Sequence, residues 1–407
     1  MNIAVVVIAY NRPNSLKRLL ETVANAYYKQ GIDLVISIDG GGDCNAEVLT
    51  IADDFDFKYG HKRIINHPSN LGLKKHVISC GNLVTDYDGV ILLEEDCIVS
   101  PHYYNYTLDA LSFYDIDDRI CGISLYTYKE NETCLKIPFY PLQDGNDVFF
   151  MQVPSSWGQA FSKKQWTKFY QFYLNNSFNY YNLNIPHNVL EWPDSSSWKK
   201  ILFCYMIQEN LFFAYNHVSL SSNCGDKGTH FSSKVSFFQV PLLMGIEKSF
   251  KFISFSKSNS KYDAYMEILP ECLKLNGFSF QDDFVVDLQG LKDLAKYDCQ
   301  YALSIKEYIG YTPPMRSYGL DLHPIINNLL FKQQGDFIFF DKIKKFDNQI
   351  PHERIDKIMA LYNSFICANI ERKYYQLYRD KYYKLGYYIL NPKKAIRVFF
   401  NKIKYST

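Results

Sequence analysis

The chain has 407 residues, 47% apolar and 21% charged, a globular balance that excludes a disordered chain. Lys plus Arg number 44 and Asp plus Glu 43, so the net charge of +1 gives no basic footprint for nucleic acid and no acidic excess. At ~150 residues per domain, this length holds two or three structural units, or one large α/β domain with an appendage.

A continuous β-branched run occupies residues 3–9. It is short, has no basic leader and ends in the polar turn Tyr10-Asn11-Arg12-Pro13, so it reads as a buried strand and not a signal peptide. Pro13 suits the first turn of a helix, and Leu16, Leu19, Leu20 and Val23 follow at helical spacing. Residues 34–38 form a second strand, ending at Asp39-Gly40-Gly41-Gly42. Residues 63–66 form a short third. Leu73, Val77, Cys80 and Val84 mark one helix face, and residues 90–93 are a fourth strand running into Glu94-Glu95-Asp96. Ser100-Pro101 starts a helix with Tyr104, Leu108 and Leu111 on one face, and residues 120–125 are a fifth strand. Repeated β-α-β with continuous apolar strands predicts an α/β fold, with a mostly parallel sheet covered by helices. Ligands in such folds bind at the carboxyl ends of the strands.

Residues 130–245 are less regular and rich in Trp, Asn and Ser. Residues 248–261 read as a linker or exposed loop, and 262–345 as a mixed segment. From 352 onward the pattern is helical, first apolar and then basic. The expected organisation is therefore a domain over 1–245, with a first half over about 1–125 and a second over about 126–245. A mixed region over 246–345 and a helical, basic, amphipathic tail over 346–407 extend it. The ten cysteines contain no CxxC pair, which excludes a zinc or redox motif and suits free thiols in a reducing cytoplasm. No run reaches 18 uninterrupted apolar residues, so no membrane-spanning helix is expected. Aromatics reach 17%; composition alone leaves open whether they form sugar-binding faces or reflect a general bias.

Three consecutive acids at the end of a buried strand repel one another, and their cost must be offset by a cation or by donor groups. A hard divalent ion completing its shell with diphosphate oxygens would do so. The alternative is an exposed acidic turn at a helix start. At the neighbouring strand ends, Arg12 could meet the charge of a nucleotide and Asp39 the imide of a uracil, or both could serve ordinary turns. No Walker or GxGxxG fingerprint is present.

Together these pieces resemble the GT-A glycosyltransferases. They are Val-Val-Ile-Ala-Tyr-Asn-Arg-Pro at the first strand, Ile38-Asp39-Gly40 at the second, Asn70-Leu71-Gly72-Leu73 opening a helix, and the acidic triplet followed by Ser-Pro-His-Tyr-Tyr. The resemblance is to the inverting branch that includes N-acetylglucosaminyltransferase I and bacterial family 2-like polysaccharide transferases. It continues through Pro154-Ser155-Ser156-Trp157-Gly158 and through 218–228, and so covers residues 1–235. The family's triplet is typically Glu-Asp-Asp; here the last acid is kept and the middle one is longer by a methylene.

The resemblance implies transfer of a sugar, usually UDP-linked, to a hydroxyl of a glycan or lipid-linked acceptor, with Mn²⁺ or Mg²⁺ as cofactor. It implies a metal at Asp96, and donor contacts from Ala9, Tyr10, Asn11, Arg12, Asp39, Gly72, Glu94 and Glu95; Lys75 and His76, at the start of the helix after Gly72, could reach a diphosphate or belong to a solvated helix face. It places Trp157, Gly158, Trp192 and Trp198 on the acceptor side. The family's general base lies in a Trp-Asp-Asp-Trp-like context, matched most nearly by Glu191-Trp192-Pro193-Asp194, so Asp194 and then Glu191 are the candidates. Pro-Asp-Ser-Ser is equally a helix-capping sequence. Lys74, Asp226, Lys227 and His230 are further donor-side candidates.

Residues 372–404 carry ten Lys/Arg and the single acid Asp380, with interleaved aromatics. This suits either peripheral contact with the inner membrane face or docking on a protein surface. Two competing readings stand beside the transferase: a sugar nucleotidyltransferase, and a catalytically inactive carbohydrate-binding or scaffold protein on the same fold.

Overall fold

The computed structural model describes residues 1–134, 137–175, 180, 183–228, 233–246 and 248–363. The chain divides into two units, Met1–Pro351 and His352–Thr407. The basic stretch 372–404 and His230 lie outside the described residues.

The first unit begins as alternating strands and helices: β1 (Ile3–Ala9), α1 (Pro13–Ala24), β2 (Ile32–Ile38), α2 (Asn45–Asp54), β3 (Gly60–Asn66), α3 (Leu73–Gly81), β4 (Gly89–Glu94), β5 (Cys97–Val99), α4 (Tyr103–Tyr114) and β6 (Ile120–Ser124). All seven residues of β1 are buried, as its unbroken apolar run requires of a central parallel strand. Pro13 opens α1, whose Ser15, Leu16, Leu19, Leu20 and Val23 form its buried stripe. Lys62 at the exposed edge strand β3 donates to the carbonyls of Ala52, Asp53 and Phe55 at 2.6–2.8 Å, satisfying the carboxyl end of α2.

The chain continues through β7 (Val148–Met151), β8 (Gln159–Ser162), α5 (Lys163–Leu174), α6 (His187–Leu190), α7 (Trp198–Gln208), β9 (Phe212–Asn216), β10 (Ser221–Asn223) and β11 (Lys261–Tyr262). Among the described residues the main sheet has nine strands in the order β11-β7-β9-β6-β8-β4-β1-β2-β3. It is the expected α/β architecture. The pairs β1–β2, β1–β4, β2–β3, β6–β9 and β7–β11 are parallel. Sequence reading did not supply β8, which enters antiparallel between β4 and β6. A capping box at its end, Ser162 with Gln165, starts α5.

The aromatic excess serves the core. Tyr103, Tyr104, Tyr106, Tyr114, Tyr215, Phe149, Phe150, Phe161 and Trp166 are fully buried, each removing a large apolar surface from water. The unit closes with α8 (Pro270–Leu275), β12 (Phe284–Asp287), β13 (Tyr301–Ser304), β14 (Arg316–Tyr318), α9 (Ile326–Leu330) and β15 (Ile338–Lys342), which build a second sheet ordered β12-β13-β15-β14. In the second unit the described element is α10 (His352–Tyr362). No helix among the described residues is long and apolar enough to cross a membrane.

Candidate active site

Because β4, β1 and β2 are adjacent and parallel, the residues after Glu94, Ala9 and Ile38 emerge on one edge of the sheet. Glu95 continues the ladder, its amide donating to the Ile8 carbonyl at 3.0 Å. Beyond it, β5 pairs with β10, and Cys224 N donates to the Asp96 carbonyl at 2.8 Å. The backbone of the acidic triplet is therefore fixed on both sides.

Arg12 answers part of the repulsion that the triplet creates. Its Nε donates to Glu95 Oε1 and its Nη1 to Asp96 Oδ2, both at 2.8 Å. Burial opposes the Arg12 charge, but Glu95 and Asp96 outweigh it and raise the guanidinium pKa. The compensation is incomplete. Burial, together with Asp96 and Glu95, pushes the Glu94 carboxyl up to about 8. Burial also raises Glu95 against the pull of Arg12. Asp96 Oδ1 is buried and has no hydrogen-bond partner, the situation in which a carboxylate oxygen accepts a cation readily. Among the described residues no three His, Cys, Asp or Glu side chains converge as a complete metal site. The donor set thus fits a divalent ion held by Asp96 only if other ligands, such as diphosphate oxygens, complete its shell.

Asp39 is buried and organises the neighbouring loop. Its Oδ1 accepts from Leu71 N (2.7 Å) and Gly40 N (3.0 Å), and its Oδ2 from Gly72 N (3.1 Å). Gly72 caps α3 with φ +76°, a conformation that favours glycine. Asn70 ties this loop to β1 by donating to the Tyr10 hydroxyl at 3.0 Å, and Asn11 Oδ1 accepts from Cys44 N at 2.6 Å. Lys75 is exposed. His76 is buried, with Nε2 2.8 Å from Ser37 Oγ, and burial lowers its pKa to about 4. Its ring packs against β2 through Ser37 and stands edge-on to His67, with 5.2 Å between ring centroids. Lys74 Nζ donates to the Asp194 carbonyl at 2.7 Å.

The segment after β10 folds back on α1. Asp226 accepts from Ser15 Oγ at 2.8 Å and pairs with Arg18. Burial opposes the Asp226 charge, but the bonds from Arg18 and Ser15 prevail and lower its pKa. Gly228 lies against Arg12, where a Cβ would stand 3.2 Å from Nη1. Ser15 and Arg18 were not singled out by sequence, although their i, i+3 spacing places them on one helix face.

On the β8 side, Trp157 is half-buried and packs against Tyr126 (4.7 Å between ring centroids) and Phe238 (4.6 Å). Gly158 has φ +96°, and a Cβ there would meet Ser221 Oγ at 2.7 Å. Trp198 is buried, and Trp192 half-buried. The capping residue of α7 is Ser197, which accepts from Lys200 N, and neither Asp194 nor Ser195 takes that place. Asp194 instead pairs through its carboxylate with the buried Lys200 at 2.7 Å, its own side chain 64% exposed. Glu191 is 68% exposed, 3.5 Å from His187. Two residues that sequence reading passed over meet here: Lys199, next to the cap, pairs with Glu132 from the loop after β6.

Residues 4–180 match the family model described as glycosyl transferase family 2. Among solved structures, the chain is similar to a mannosyltransferase from Pyrobaculum calidifontis in complex with GDP-Man and Mn²⁺, at 11% identity over 40% of this chain and 45% of that one, TM-score 0.29. It is also similar to S. aureus TarS 1-349, at 12% identity over 56% and 61%, TM-score 0.35. A third is a cytidylyltransferase from Leptospira borgpetersenii, at 12% identity over 42% and 64%, TM-score 0.27. The chain thus spans less than two thirds of the length of each. No curated protein matches it.

Proposed function

From the premise of a GT-A glycosyltransferase, with residues 4–180 matching family 2, we propose that this protein moves a sugar from a nucleotide-diphosphate donor to an acceptor hydroxyl with inversion at the anomeric carbon. The donor is a UDP-sugar, the sugar a hexose or N-acetylhexosamine, and the acceptor a glycan or lipid-linked glycan of a bacterial surface polysaccharide. The observation that carries this reading is the strand-end cluster of Arg12, Glu94, Glu95 and Asp96, with one buried Asp96 oxygen left unpaired.

Asp96 would hold the divalent ion, Mn²⁺ or Mg²⁺. Such an ion offsets the negative charge that gathers on a diphosphate leaving group. The chain's own residues supply the rest. Arg12 orients Glu95 and Asp96 through its two hydrogen bonds. Asp39 fixes the 70–72 loop beside the nucleotide. The Trp157-Gly158 segment shapes the acceptor side. The basic stretch 372–404 supports a peripheral contact with anionic lipid, which suits a lipid-linked acceptor.

Calorimetry with UDP and Mn²⁺ tests the donor half. We expect binding in the presence of Mn²⁺ that disappears with EDTA or with Asp96→Ala. Binding unchanged by both refutes the assignment of Asp96.

A further inference from the structure

The carboxylate of Glu132 has one oxygen committed and one left over. Its Oε1 accepts from Lys199 Nζ, which also donates to the Tyr128 hydroxyl at 3.2 Å. Its Oε2 is buried with no hydrogen-bond partner. Tyr128 OH, its neighbour, donates to the Pro154 carbonyl at 3.4 Å. Asn188 shares the situation: its amide donates to the Glu132 carbonyl at 3.0 Å, while its Oδ1 is buried and unpaired. Leaving such oxygens unsatisfied is costly, which suits a place where a ligand supplies the missing donors.

The surroundings specify the ligand. The Lys199 ammonium lies 5.2, 5.8 and 5.9 Å from the ring centroids of Trp192, Tyr128 and Trp157. Two unpaired acceptors, one of them on the carboxylate that Lys199 pairs with, and the half-buried Trp157 and Trp192 rings around that ammonium match a sugar ring, whose hydroxyls donate and whose C–H face packs on the rings. The pair also belongs to the right side of the sheet, since the Lys199 charge bears on Glu94.

The rest of the unit holds this carboxylate in place. Buried Asn131, the preceding residue, donates to Gln289 Oε1 and to the Tyr265 carbonyl, and its own Oδ1 accepts from Thr133 N at 2.7 Å. Gln289 N donates in turn to Glu267 Oε1 at 2.7 Å. Residues 265–289 therefore clamp the loop that carries Glu132.

We propose that Glu132 is the acceptor-side carboxylate of the transferase, oriented by Lys199 and walled by Trp157 and Trp192. This rests on the transferase reading above. The acceptor O–H gives its proton to Glu132 Oε2, and the acceptor oxygen's electron pair forms the new bond to the anomeric carbon. The bond from that carbon to the diphosphate oxygen breaks, and its electron pair leaves on the nucleoside diphosphate. Both carboxylates are ion-paired, but Glu132 is 14% exposed against 64% for Asp194, and Glu132 takes the proton.

The test uses the full-length protein with Mn²⁺ and UDP-glucose, UDP-N-acetylglucosamine and GDP-mannose, water serving as acceptor. Nucleotide affinity is measured by calorimetry with UDP and GDP, and sugar binding by tryptophan fluorescence with the methyl glycosides of glucose, N-acetylglucosamine and mannose. Glu132→Gln should lower donor turnover by roughly 10²–10⁴-fold, the usual worth of a positioned base. It should weaken the fluorescence response and leave nucleotide affinity within about threefold. In Lys199→Met, the positioning variant, the acidic limb of the pH–rate profile should move upward, because the carboxylate loses its cation. Turnover in Glu132→Gln within threefold of the unmodified protein overturns the proposal, and a loss in Asp194→Asn alone gives the role to Asp194. If Glu132→Gln does not fold, Glu132→Asp decides by its pH profile, an unshifted acidic limb counting against. An unmodified protein that binds nucleotide but shows no response to any of the three sugars also overturns the subsite. One that binds no nucleotide overturns the transferase reading and the proton role with it.

Discussion

Replacing Arg12 by Met removes the one guanidinium bonded to two of the three strand-end acids while keeping an unbranched apolar stem. Two charge-assisted bonds at 2.8 Å are lost, and both acceptor carboxylates are buried. Removing one member of a buried pair costs about 3–5 kcal/mol. The Arg12 side chain is 26% exposed, so water screens part of the interaction, and we expect a loss of about 2–3 kcal/mol at pH 7.5. The sign with pH follows from the carboxylates. Burial already raises the Glu95 carboxyl beside Arg12, and without Arg12 Glu95 binds its proton still more tightly in the folded state than in the unfolded chain. Stability then falls as pH rises. Urea unfolding of both proteins at pH 5.5 and 7.5 should show the larger deficit at pH 7.5. Adding Glu95→Gln to Arg12→Met should recover part of it, since one repelling charge is gone. A deficit below about 0.5 kcal/mol, or one equal at both pH values, would show that Arg12 does not neutralise the triplet.

Glu94 titrates near 8, above its unfolded value, so its ionisation costs stability as pH rises from about 4.5 to about 8. Glu94→Gln should flatten that part of the melting-temperature profile, and an unchanged slope counts against it. His76, lowered to about 4 by burial, contributes stability that is full above pH 6.5 and lost as pH falls toward 4. Its ring resonances should report a neutral imidazole down to about pH 5, and a midpoint near 6.5 contradicts the burial argument. Gly158→Ala should cost about 1–3 kcal/mol, because φ +96° and Ser221 Oγ both resist a Cβ; a stability change near zero means the segment relaxes freely. Deleting residues 372–407 should release the protein from anionic vesicles at moderate salt, and a full-length protein that ignores such vesicles at low salt removes the membrane contact from the proposal.

The first five predicted strands were legible because parallel central strands are apolar without interruption, and β1 matches its run residue for residue. The boundaries that slipped lie where polar residues enter the ladder. β2 begins at Ile32 and includes Asp33, and β3 begins at Gly60 and takes in charged residues tolerated at a sheet edge. β8 escaped because four residues with polar ends carry no period. Its successor α5 was announced by Ser162-x-x-Gln165, a signature that sequence reading passed over. The strand-end acids and Arg12 were legible as neighbours because topology alone brings the carboxyl ends of neighbouring parallel strands together. Glu132 and Lys199 were not, because 67 residues separate them and the loop between β6 and β7 has no periodicity to place it. His76, at the start of α3, is buried beside Ser37 because the helix turns that face toward β2.

The central claim is sugar transfer from a nucleotide donor at the Asp96 cluster, and turnover of a nucleotide-sugar panel measures it most directly. The unmodified protein, given Mn²⁺, should release nucleoside diphosphate from at least one donor in the panel. EDTA should abolish the release, fresh Mn²⁺ should restore it, and Asp96→Ala should stay inactive under every condition. Turnover that survives both EDTA and Asp96→Ala would contradict the account, and would leave the leaving group to be stabilised by basic side chains without a metal.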